Sequence, residues 1–198
     1  MEIIAATQNN HKIKELSDIM KTHAFKVLSL RDAGIPAVDI EEDGTTFEEN
    51  SLKKAMVIMQ LSGKPAVADD SGLEVDCLGG APGVYSARFS GVHGPDADSE
   101  NNKKLLRLME DIPAPQRTGR FVSVITLVFP DGSIISAKGV CEGTICREVR
   151  GTGGFGYDPL FMPDGYKETF AELPQEVKNL ISHRAKAIAQ LGESLKSL

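Results

Sequence analysis

Two adjacent carboxylates, Asp69 and Asp70, directly follow a short apolar run at residues 66–68. Ser71 and Gly72 come next, and Asp, Ser and Gly are typical turn-forming residues. We therefore predict that a strand ends here in a turn that carries both acids. Carboxylates in such a position can bind a metal ion or orient a water molecule. Taken alone, the stretch has a simpler interpretation, which is a turn without a chemical role.

A second group of acids lies earlier in the chain, where Glu41, Glu42 and Asp43 are consecutive. Such a run usually forms a solvated loop, because its like charges repel each other. One of the three becomes a candidate metal ligand if the fold brings it close to Asp69 and Asp70. Mg²⁺ is commonly held by one or two carboxylates and by the phosphates of a substrate. The sequence leaves open which acid of the run takes part.

A polar loop at residues 7–12 is the candidate anion-binding segment. It consists of Thr7, Gln8, Asn9, Asn10, His11 and Lys12. The loop follows a predicted strand at residues 3–6 and precedes a predicted helix that runs to about His23. A loop in this place directs main-chain N–H groups and the positive end of the helix toward an anion, and its lysine adds a positive charge. The alternative is an ordinary strand–helix connection in which an asparagine caps the helix.

A glycine-rich segment at residues 151–159 contains the pattern Gly-x-Gly-x-x-Gly and two aromatic residues. Its central part is Phe155, Gly156, Tyr157 and Asp158. In a dinucleotide-binding site this pattern opens a helix, but Pro159 follows at once and disfavours helix in the residue before it. We therefore interpret the segment as a loop that closely approaches a ligand, with Phe155 and Tyr157 as stacking rings. A tight turn packed with aromatic side chains is the alternative.

The last part of the chain, residues 169–198, is predicted to be helical and carries a group of basic residues. Pro174 is placed to occupy the first helical position, and Ser182 is placed to cap a further turn. The basic residues that cluster near a helix start are Lys178, His183 and Arg184. Such a cluster can bind phosphate groups, although a single histidine is more often structural than a ligand contact.

The remaining patterns define the fold class. Overlapping capping-box patterns around Thr46 predict a helix that ends near Gly63, and an amphipathic helix is predicted at residues 98–112. The predicted buried stripe of the second helix is Leu105, Leu108, Met109 and Ile112. Apolar segments at residues 120–129 and 134–140, separated by a Pro-Asp-Gly-Ser turn, predict a hairpin. Helices that alternate with strands, together with this hairpin, predict an α/β fold with a mixed sheet.

The bulk composition argues against several classes of function. A chain of 198 residues with a net charge of −6 has no overall basic field, so we expect no nucleic-acid partner. No apolar run approaches membrane-spanning length, and the first residues lack the pattern of a signal peptide. The three cysteines form no Cys-x-x-Cys pair, which predicts neither a disulfide framework nor a zinc site. We expect a cytoplasmic protein with no membrane partner.

Together, the sequence motifs described above make the chain similar to the inosine triphosphate pyrophosphatase family, whose bacterial members are XTP/dITP diphosphatases. The similarity runs from residue 3 to about residue 192. The matched blocks are Thr7-x-Asn9-x-x-Lys12, Glu41 with Gly44 and Thr46-Phe47-x-Glu49-Asn50, Ala68-Asp69-Asp70-Ser71-Gly72-Leu73, Gly79-Gly80-Ala81-Pro82-Gly83-x-Tyr85-Ser86-Ala87-Arg88, residues 151–159, Ala171-Glu172-Leu173, and Lys178 with Ser182-His183-Arg184. The resemblance implies an elongated mixed β-sheet with flanking helices and a homodimer. It also implies a single domain over residues 1–198, in two lobes with the active site in the cleft between them.

The resemblance also implies a reaction and the residues that carry it out. The reaction is Mg²⁺-dependent hydrolysis of ITP, dITP or XTP, which are non-standard purine nucleoside triphosphates, to the monophosphate and pyrophosphate. Asp70 is implied as the catalytic proton acceptor, and Glu41 and Asp70 as the metal ligands, with Glu42 as the alternative to Glu41. The implied substrate-binding residues are Thr7, Gln8, Asn9, Asn10, His11, Lys12, Ser71, Phe155, Gly156, Tyr157, Asp158, Lys178, His183 and Arg184.

Within that set, Lys12 and Lys178 are expected to neutralise the phosphates, and one of the two aromatic rings to stack on the base. A donor from His183 or Arg184 would pair with the 6-oxo group of hypoxanthine or xanthine and would face the amino donor of adenine. Unpaired buried polar groups of this kind give discrimination of ~10⁴ or more.

Two other functions fit parts of the sequence. A non-catalytic nucleotide sensor would use the same cations, but it would have no need for Glu41, Asp69 and Asp70 together. A nicotinamide-dependent oxidoreductase would rest on the literal Gly-x-Gly-x-x-Gly pattern, and the position of that pattern before Pro159 argues against it.

Overall fold

In residues 1–21 and 25–196, which the computed structural model describes, six strands form one sheet. The strands are β1 (Glu2–Ala5), β2 (Lys26–Leu28), β3 (Ala66–Val75), β4 (Thr118–Val128), β5 (Ile134–Ile145) and β6 (Phe161–Pro163). Their order in the sheet is β2-β1-β3-β4-β5-β6. β1 runs parallel to both β2 and β3, whereas β6 runs antiparallel to β5. The predicted α/β fold with a mixed sheet is confirmed.

The same residues contain five α-helices and three short 3₁₀ helices. The α-helices are α1 (Asn10–Met20), α2 (Phe47–Ser62), α3 (Ala97–Leu108), α4 (Gln175–Ile181) and α5 (His183–Lys196). The 3₁₀ helices are Asp76–Leu78, Gly83–Arg88 and Ala114–Gln116. The predicted end of the first helix near His23 lies outside the described residues. Within the described ranges, no helix is long and apolar enough to cross a membrane.

Two predicted local structures are confirmed. α2 begins with a capping box, in which the Thr46 side chain accepts from the main chain of Glu49 and the Glu49 side chain accepts in return. The helix ends at Gly63, which adopts the left-handed conformation typical of a helix end. β4 and β5 are neighbours in the sheet, and a turn at residues 129–133 joins them as the predicted hairpin.

β3 differs most from the sequence prediction, because Asp69 and Asp70 lie inside a continuous ten-residue strand and not in a turn. Ser71 and Gly72 continue the same strand. β3 lies between β1 and β4 in the sheet, and within the described residues its register with β1 covers only residues 66 and 67. Incorporation of the whole strand into the sheet outweighs the turn preference of these acids and their neighbours. Both carboxylates are buried as a result.

The chain divides into two compact units. Unit 1 contains Met1–Asp70, Ser123–Gly139 and His183–Leu198, and unit 2 contains Ser71–Val122 and Val140–Ser182. The placement of the active site between two lobes stays a prediction.

Unit 1 has three layers, because β1 is buried on both faces. On one face, Ile3 packs in a cluster with Leu16 of α1 and Leu191 of α5. On the other face, Ile4 belongs to a cluster with Ile58 of α2. Successive strand residues point to opposite faces of a sheet, so this short apolar strand places α1 and α5 on one side and α2 on the other.

Unit 2 has its own aromatic core, in which Phe121, Phe161 and Phe170 pack together. The rings of Phe121 and Phe161 meet edge to face with centroids 4.7 Å apart. Leu105 of α3 and Met109, the C-cap residue of this helix, cover this core, as the predicted stripe requires. Aromatic contacts of this kind add to the free energy of folding beyond the area that they bury.

The predicted buried face of α3 is partly wrong. Leu108 is 47% exposed, whereas Asn101 and Asn102 are buried. Asn101 accepts from the main-chain N–H of Ser90 and donates to the main-chain oxygen of Ser86. An amide whose hydrogen bonds are made can occupy a core position, and the apolar pattern of a helix does not reveal such a position.

The predicted C-terminal helical segment is interrupted, because α4 and α5 are separate helices on either side of Ser182. Pro174 is the N-cap residue of α4 and does not occupy its first helical position. Residues 169–174 contain a turn and irregular chain, so the prediction of helix from residue 169 is wrong. The main-chain N–H of Ser182 donates to the oxygen of Lys178 and closes α4.

Candidate active site

Asp69 lies at the centre of a buried group of charges in unit 1. Its Oδ2 atom is 3.0 Å from Arg184 Nη2 and 3.1 Å from Lys12 Nζ. Its Oδ1 atom accepts a hydrogen bond of 2.6 Å from Ser123 Oγ. Arg184 forms a further ion pair with Glu15. We call Lys12, Glu15, Asp69 and Arg184 the charge quartet, in which two acids balance two bases.

Two helices and a strand assemble the charge quartet. α1 supplies Lys12 and Glu15, which lie on one face of the helix because they are three residues apart. Burial alone would raise the pKa of Asp69, but the attraction of Arg184 and Lys12 outweighs it and holds this pKa well below its usual value. Asp69 is therefore ionised and firmly engaged by its neighbours.

Asp70 has a different environment. Its Oδ1 atom accepts from Lys54 Nζ at 2.7 Å, and its Oδ2 atom accepts from Asn50 Nδ2 at 3.3 Å. Burial raises the pKa of Asp70 above its usual value, and the attraction of Lys54 offsets this effect only in part. A carboxylate with a raised pKa accepts a proton more readily than one with a lowered pKa. Of the two neighbouring acids, Asp70 has the electrostatics of a general base.

Lys54 of α2 connects Asp70 to the acidic segment at residues 41–43. Its Nζ atom lies 2.6 Å from Glu42 Oε1 and also donates to the main-chain oxygen of Asp69 at 3.0 Å. Burial alone would lower the pKa of Lys54, but Asp70 and Glu42 together raise it above its usual value. A single ammonium group is thus held between carboxylates of both acidic segments.

The donor chemistry around Asp70 fits Mg²⁺, which prefers carboxylate oxygens. Glu42 and Asp70 already share one cation, the ammonium group of Lys54. Within the described residues, Glu41 is exposed and its carboxylate has no ion-pair or hydrogen-bond partner. In the same part of the chain, no three His, Cys, Asp or Glu side chains converge as a ready metal site. The protein offers one or two carboxylates, the number typical of Mg²⁺ that also binds substrate phosphates.

The loop at residues 7–12 leads into α1 as predicted. Asn9 is the N-cap residue, and its Oδ1 atom accepts from the main-chain N–H groups of His11 at 2.9 Å and Lys12 at 3.2 Å. Thr7 Oγ1 accepts from the main-chain N–H of Asn9 at 3.1 Å. The cap organises the positive end of the helix, which is the part that attracts an anion.

Open space adjoins this loop. A cavity of about 530 Å³ is lined in part by Gln8, Asn10 and Arg31. The Gln8 side chain donates to the main-chain oxygen of Val38 at 3.1 Å, which ties the loop to the chain that precedes the acidic segment. A phosphate chain therefore has room beside the start of α1.

α5 begins in close contact with β5. A Cβ atom at Gly139 of β5 would overlap the main-chain oxygen of His183 and the nitrogen of Ala187. This close approach requires glycine, and it sets the position from which Arg184 enters the charge quartet. The guanidinium of Arg184 is engaged with Asp69 and Glu15, so its predicted contact with substrate would come from the main chain.

In unit 2, Asp158 holds the glycine-rich loop in shape. Its Oδ2 atom accepts from the main-chain N–H of Phe155 at 2.9 Å and from Lys178 Nζ at 2.7 Å. Lys178 Nζ also lies 4.9 Å from the centre of the Phe155 ring. Lys178 is 2% exposed, so in this structure it supports the loop, and its contact with phosphate stays a prediction.

The two rings of the loop have different surroundings. Tyr157 is buried in the core of unit 2, and its hydroxyl donates to the main-chain oxygen of Ser86 at 2.9 Å. Phe155 is only half-buried. Because Tyr157 packs in the core, Phe155 is the more accessible ring for stacking on a ligand, and a contact of Tyr157 with substrate stays a prediction.

The same loop is attached to α3. The main-chain N–H of Gly156 donates to Asp98 Oδ2 at 2.7 Å, and Asn102 Nδ2 donates to the main-chain oxygen of Gly156 at 2.9 Å. Sequence reasoning missed both residues. An asparagine on the apolar face of α3 was the available signal, since a buried amide needs a partner.

The predicted residues fall into two sets. Unit 1 contains Thr7, Gln8, Asn9, Asn10, His11, Lys12, Glu41, Asp70, His183 and Arg184. Unit 2 contains Ser71, which is half-buried in β3, and Phe155, Gly156, Tyr157, Asp158 and Lys178. Within unit 1, sequence reasoning also missed Glu15 and Ser123 as partners in the buried ion pairs.

The sequence model of the Ham1 family matches residues 3–194 of this chain. A protein of Desulforamulus reducens named dITP/XTP pyrophosphatase is 51% identical over 199 residues, which cover 100% of this chain and 97% of that protein. A protein of Clostridium perfringens with the same name is 47% identical over 203 residues, which cover 100% of this chain and 98% of that protein. Among solved structures, a HAM1 protein from Coxiella burnetii is 38% identical and superposes with a TM-score of 0.87 over 100% of both chains.

Proposed function

Because this chain belongs to the Ham1 family, we propose that it hydrolyses the non-standard purine nucleoside triphosphates ITP, dITP and XTP to the monophosphate and pyrophosphate. Full-length relatives at 47–51% identity carry the name dITP/XTP pyrophosphatase, which supports this substrate class. The reaction removes these nucleotides from the pool available for nucleic-acid synthesis.

The observation that carries the proposal is the contrast between two neighbouring carboxylates. Asp69 is engaged by Arg184, Lys12 and Ser123, and its pKa is lowered. Asp70 is held by Asn50 and Lys54 with a raised pKa. This contrast supports Asp70 as the residue that orients or deprotonates the attacking water, and Asp69 as a structural residue behind it.

Asp70 together with Glu41 would hold Mg²⁺, with Glu42 as the alternative to Glu41. When bound, the ion offsets negative charge on the phosphates and stabilises the charge that develops in the transition state. Asn50 and Lys54 contact both oxygens of the Asp70 carboxylate and so restrict its rotation.

The triphosphate would lie at the start of α1. The capped N-terminus of α1 and the ammonium group of Lys12 provide positive charge there, and the loop adjoins open space. Lys178, bound to Asp158 in this structure, is the second predicted phosphate contact. Ser71 is proposed as a further nucleotide contact.

The base would stack on Phe155, an interaction of ~1–3 kcal/mol. A donor from His183 or from the main chain of Arg184 would pair with the 6-oxo group of the base. Adenine presents an amino donor at that position, and two facing donors that stay unpaired give discrimination of ~10⁴ or more.

The test is a panel of ITP, dITP, XTP, dGTP and ATP, with pyrophosphate and orthophosphate measured separately. We expect Mg²⁺-dependent release of pyrophosphate from the first three, and a loss of turnover in Asp70→Asn. Asp131→Asn in the exposed β4–β5 turn is the matched control and should keep full activity. Release of orthophosphate would contradict the proposed bond cleavage, and binding without product would identify a nucleotide sensor.

We further propose that the protein acts as a homodimer, as the family resemblance implies. Light scattering of the purified protein should give twice the 21.3 kDa of one chain. A mass equal to one chain at assay concentration would contradict this proposal.

A further inference from the structure

We propose that Asp98 and Asn102 of α3 are positioning residues that fix the glycine-rich loop and thereby determine the affinity for the purine base. They touch neither the phosphates nor the proposed general base, and they act through Phe155. This inference rests on the proposed function, because it assigns the base to the ring of Phe155.

α3 forms hydrogen bonds with both main-chain polar groups of Gly156. The N–H of Gly156 donates to Asp98 Oδ2 at 2.7 Å, and its carbonyl oxygen accepts from Asn102 Nδ2 at 2.9 Å. Asp98 and Asn102 are four residues apart on α3 and therefore lie on one face of the helix. One helical turn thus holds the donor and the acceptor of the residue that directly follows Phe155.

The burial of Asn102 indicates that the loop needs the N–H donor of its side-chain amide. The residue is 6% exposed, and its Oδ1 atom has no hydrogen-bond partner among the described residues. A buried acceptor without a partner is unfavourable, so an apolar residue would suit the core better if packing alone mattered. The contact from Nδ2 to Gly156 is the interaction that this amide provides to the loop.

The other side of Phe155 is fixed as well. Its main-chain N–H donates to Asp158, which in turn binds Lys178. Phe155 is therefore placed between two anchors, Asp158 at its own nitrogen and the turn of α3 at Gly156. Both anchors hold the main chain and so restrict where the Phe155 ring can lie, and small displacements of a positioned group weaken recognition strongly.

Loss of the α3 anchor should therefore affect binding of the base more than the chemical step. We expect Asp98→Ala to raise KM for dITP about 5- to 30-fold with kcat within about twofold, the range for loss of one or two hydrogen bonds. KM for ITP and XTP should rise by a similar factor, because stacking on an aromatic ring does not depend on the identity of the base. Asp98→Asn keeps an acceptor oxygen and should restore most of the binding.

Asn102→Ala is the second variant, with the same expected change in KM. Glu100→Ala is the matched control, because Glu100 lies on the same helix and pairs with the exposed Lys103. It should leave KM and kcat unchanged. A normal KM in both Asp98→Ala and Asn102→Ala would overturn the proposal, and so would a fall in kcat with KM unchanged.

A second readout does not depend on any substrate. The chain contains no tryptophan, so Phe155→Trp introduces a single reporter into the loop. In nucleotide-free protein, adding Asp98→Ala should lower the fluorescence anisotropy of this tryptophan and increase its quenching by acrylamide, and adding Glu100→Ala should not. An unchanged anisotropy would overturn the anchoring role. Absence of activity toward ITP, dITP and XTP in the unmodified protein would instead refute the proposed function.

Discussion

Asp69→Asn should destabilise the protein far more than Asp70→Asn, although the two acids are adjacent and both are buried. Asp69→Asn removes the negative charge at the centre of the charge quartet and leaves Arg184, which is 1% exposed, with Glu15 as its remaining carboxylate in the quartet. Removing one partner of a buried ion pair costs about 3–5 kcal/mol. In a chain of this size each kcal/mol lowers the melting temperature by about 2–4 °C, so we expect a fall of roughly 6–20 °C.

Asp70→Asn should change the stability of the protein little and reduce its turnover strongly. Burial already disfavours the charged form of Asp70, and after the substitution Lys54 still has Glu42 and the main-chain oxygen of Asp69 as partners. We expect the melting temperature to change by no more than about 4 °C, which corresponds to about 1 kcal/mol. Turnover of dITP should fall by about 10²–10⁴-fold, the usual contribution of a general base.

The assay is calorimetry or circular dichroism for unfolding, combined with release of pyrophosphate from dITP on the same preparations. A melting temperature of Asp69→Asn close to that of the unmodified protein would refute the structural role of the charge quartet. Near-normal turnover by a stably folded Asp70→Asn would refute the assignment of the general base. Equal loss of stability in both variants would show that burial alone, and not the arrangement of partners, decides the outcome.

Three further predictions concern the loop and the helix contacts. Burial raises the pKa of the Tyr157 phenol in the folded protein, so its contribution to stability should be complete below about pH 10 and lost as the pH rises toward this raised pKa. An ultraviolet titration should show one tyrosine that ionises at higher pH than the others, and Tyr157→Phe should remove it. Gly154→Ala should weaken dITP binding, because Gly154 has a φ of 71° and a Cβ there would overlap the Asp158 carboxylate; an unchanged KM would contradict this. Gly139→Ala should lower the melting temperature, because its Cβ would collide with the main chain at His183. A melting temperature equal to that of the unmodified protein would show that α5 can move away.

Local signals predicted the elements whose ends are determined within a few residues. The capping box at Thr46 and Glu49, the glycine at the end of α2 and the turn between β4 and β5 are examples. β3 could not be predicted in the same way, because its incorporation into a sheet whose other strands are distant in sequence outweighs the preference of its residues for a turn. The buried face of α3 was mispredicted because Asn101 and Asn102 form hydrogen bonds with partners outside the helix.

In the candidate site, too, local sequence predicted some features, and others depend on residues distant in the chain. The sequence identified Asp69 and Asp70 together, but their different roles depend on partners that lie far along the chain. Arg184 is 115 residues from Asp69, and Ser123 is 54 residues away. Their contacts with Asp69 arise from the packing of β4 and α5 in unit 1, which no local pattern around the acids reveals.

The charge quartet also bears on the order in which the chain becomes able to fold during its synthesis. A ribosome delivers Asp69 and Glu15 long before Arg184, so the buried acids lack their guanidinium partner until the last segment of unit 1 has emerged. Both segments of unit 2, Ser71–Val122 and Val140–Ser182, are complete before that point. Compact units generally fold as their residues become available. Nascent chains should therefore gain protection from proteolysis in unit 2 first. Unit 1 should gain it only after its last segment, His183–Leu198, has been synthesised.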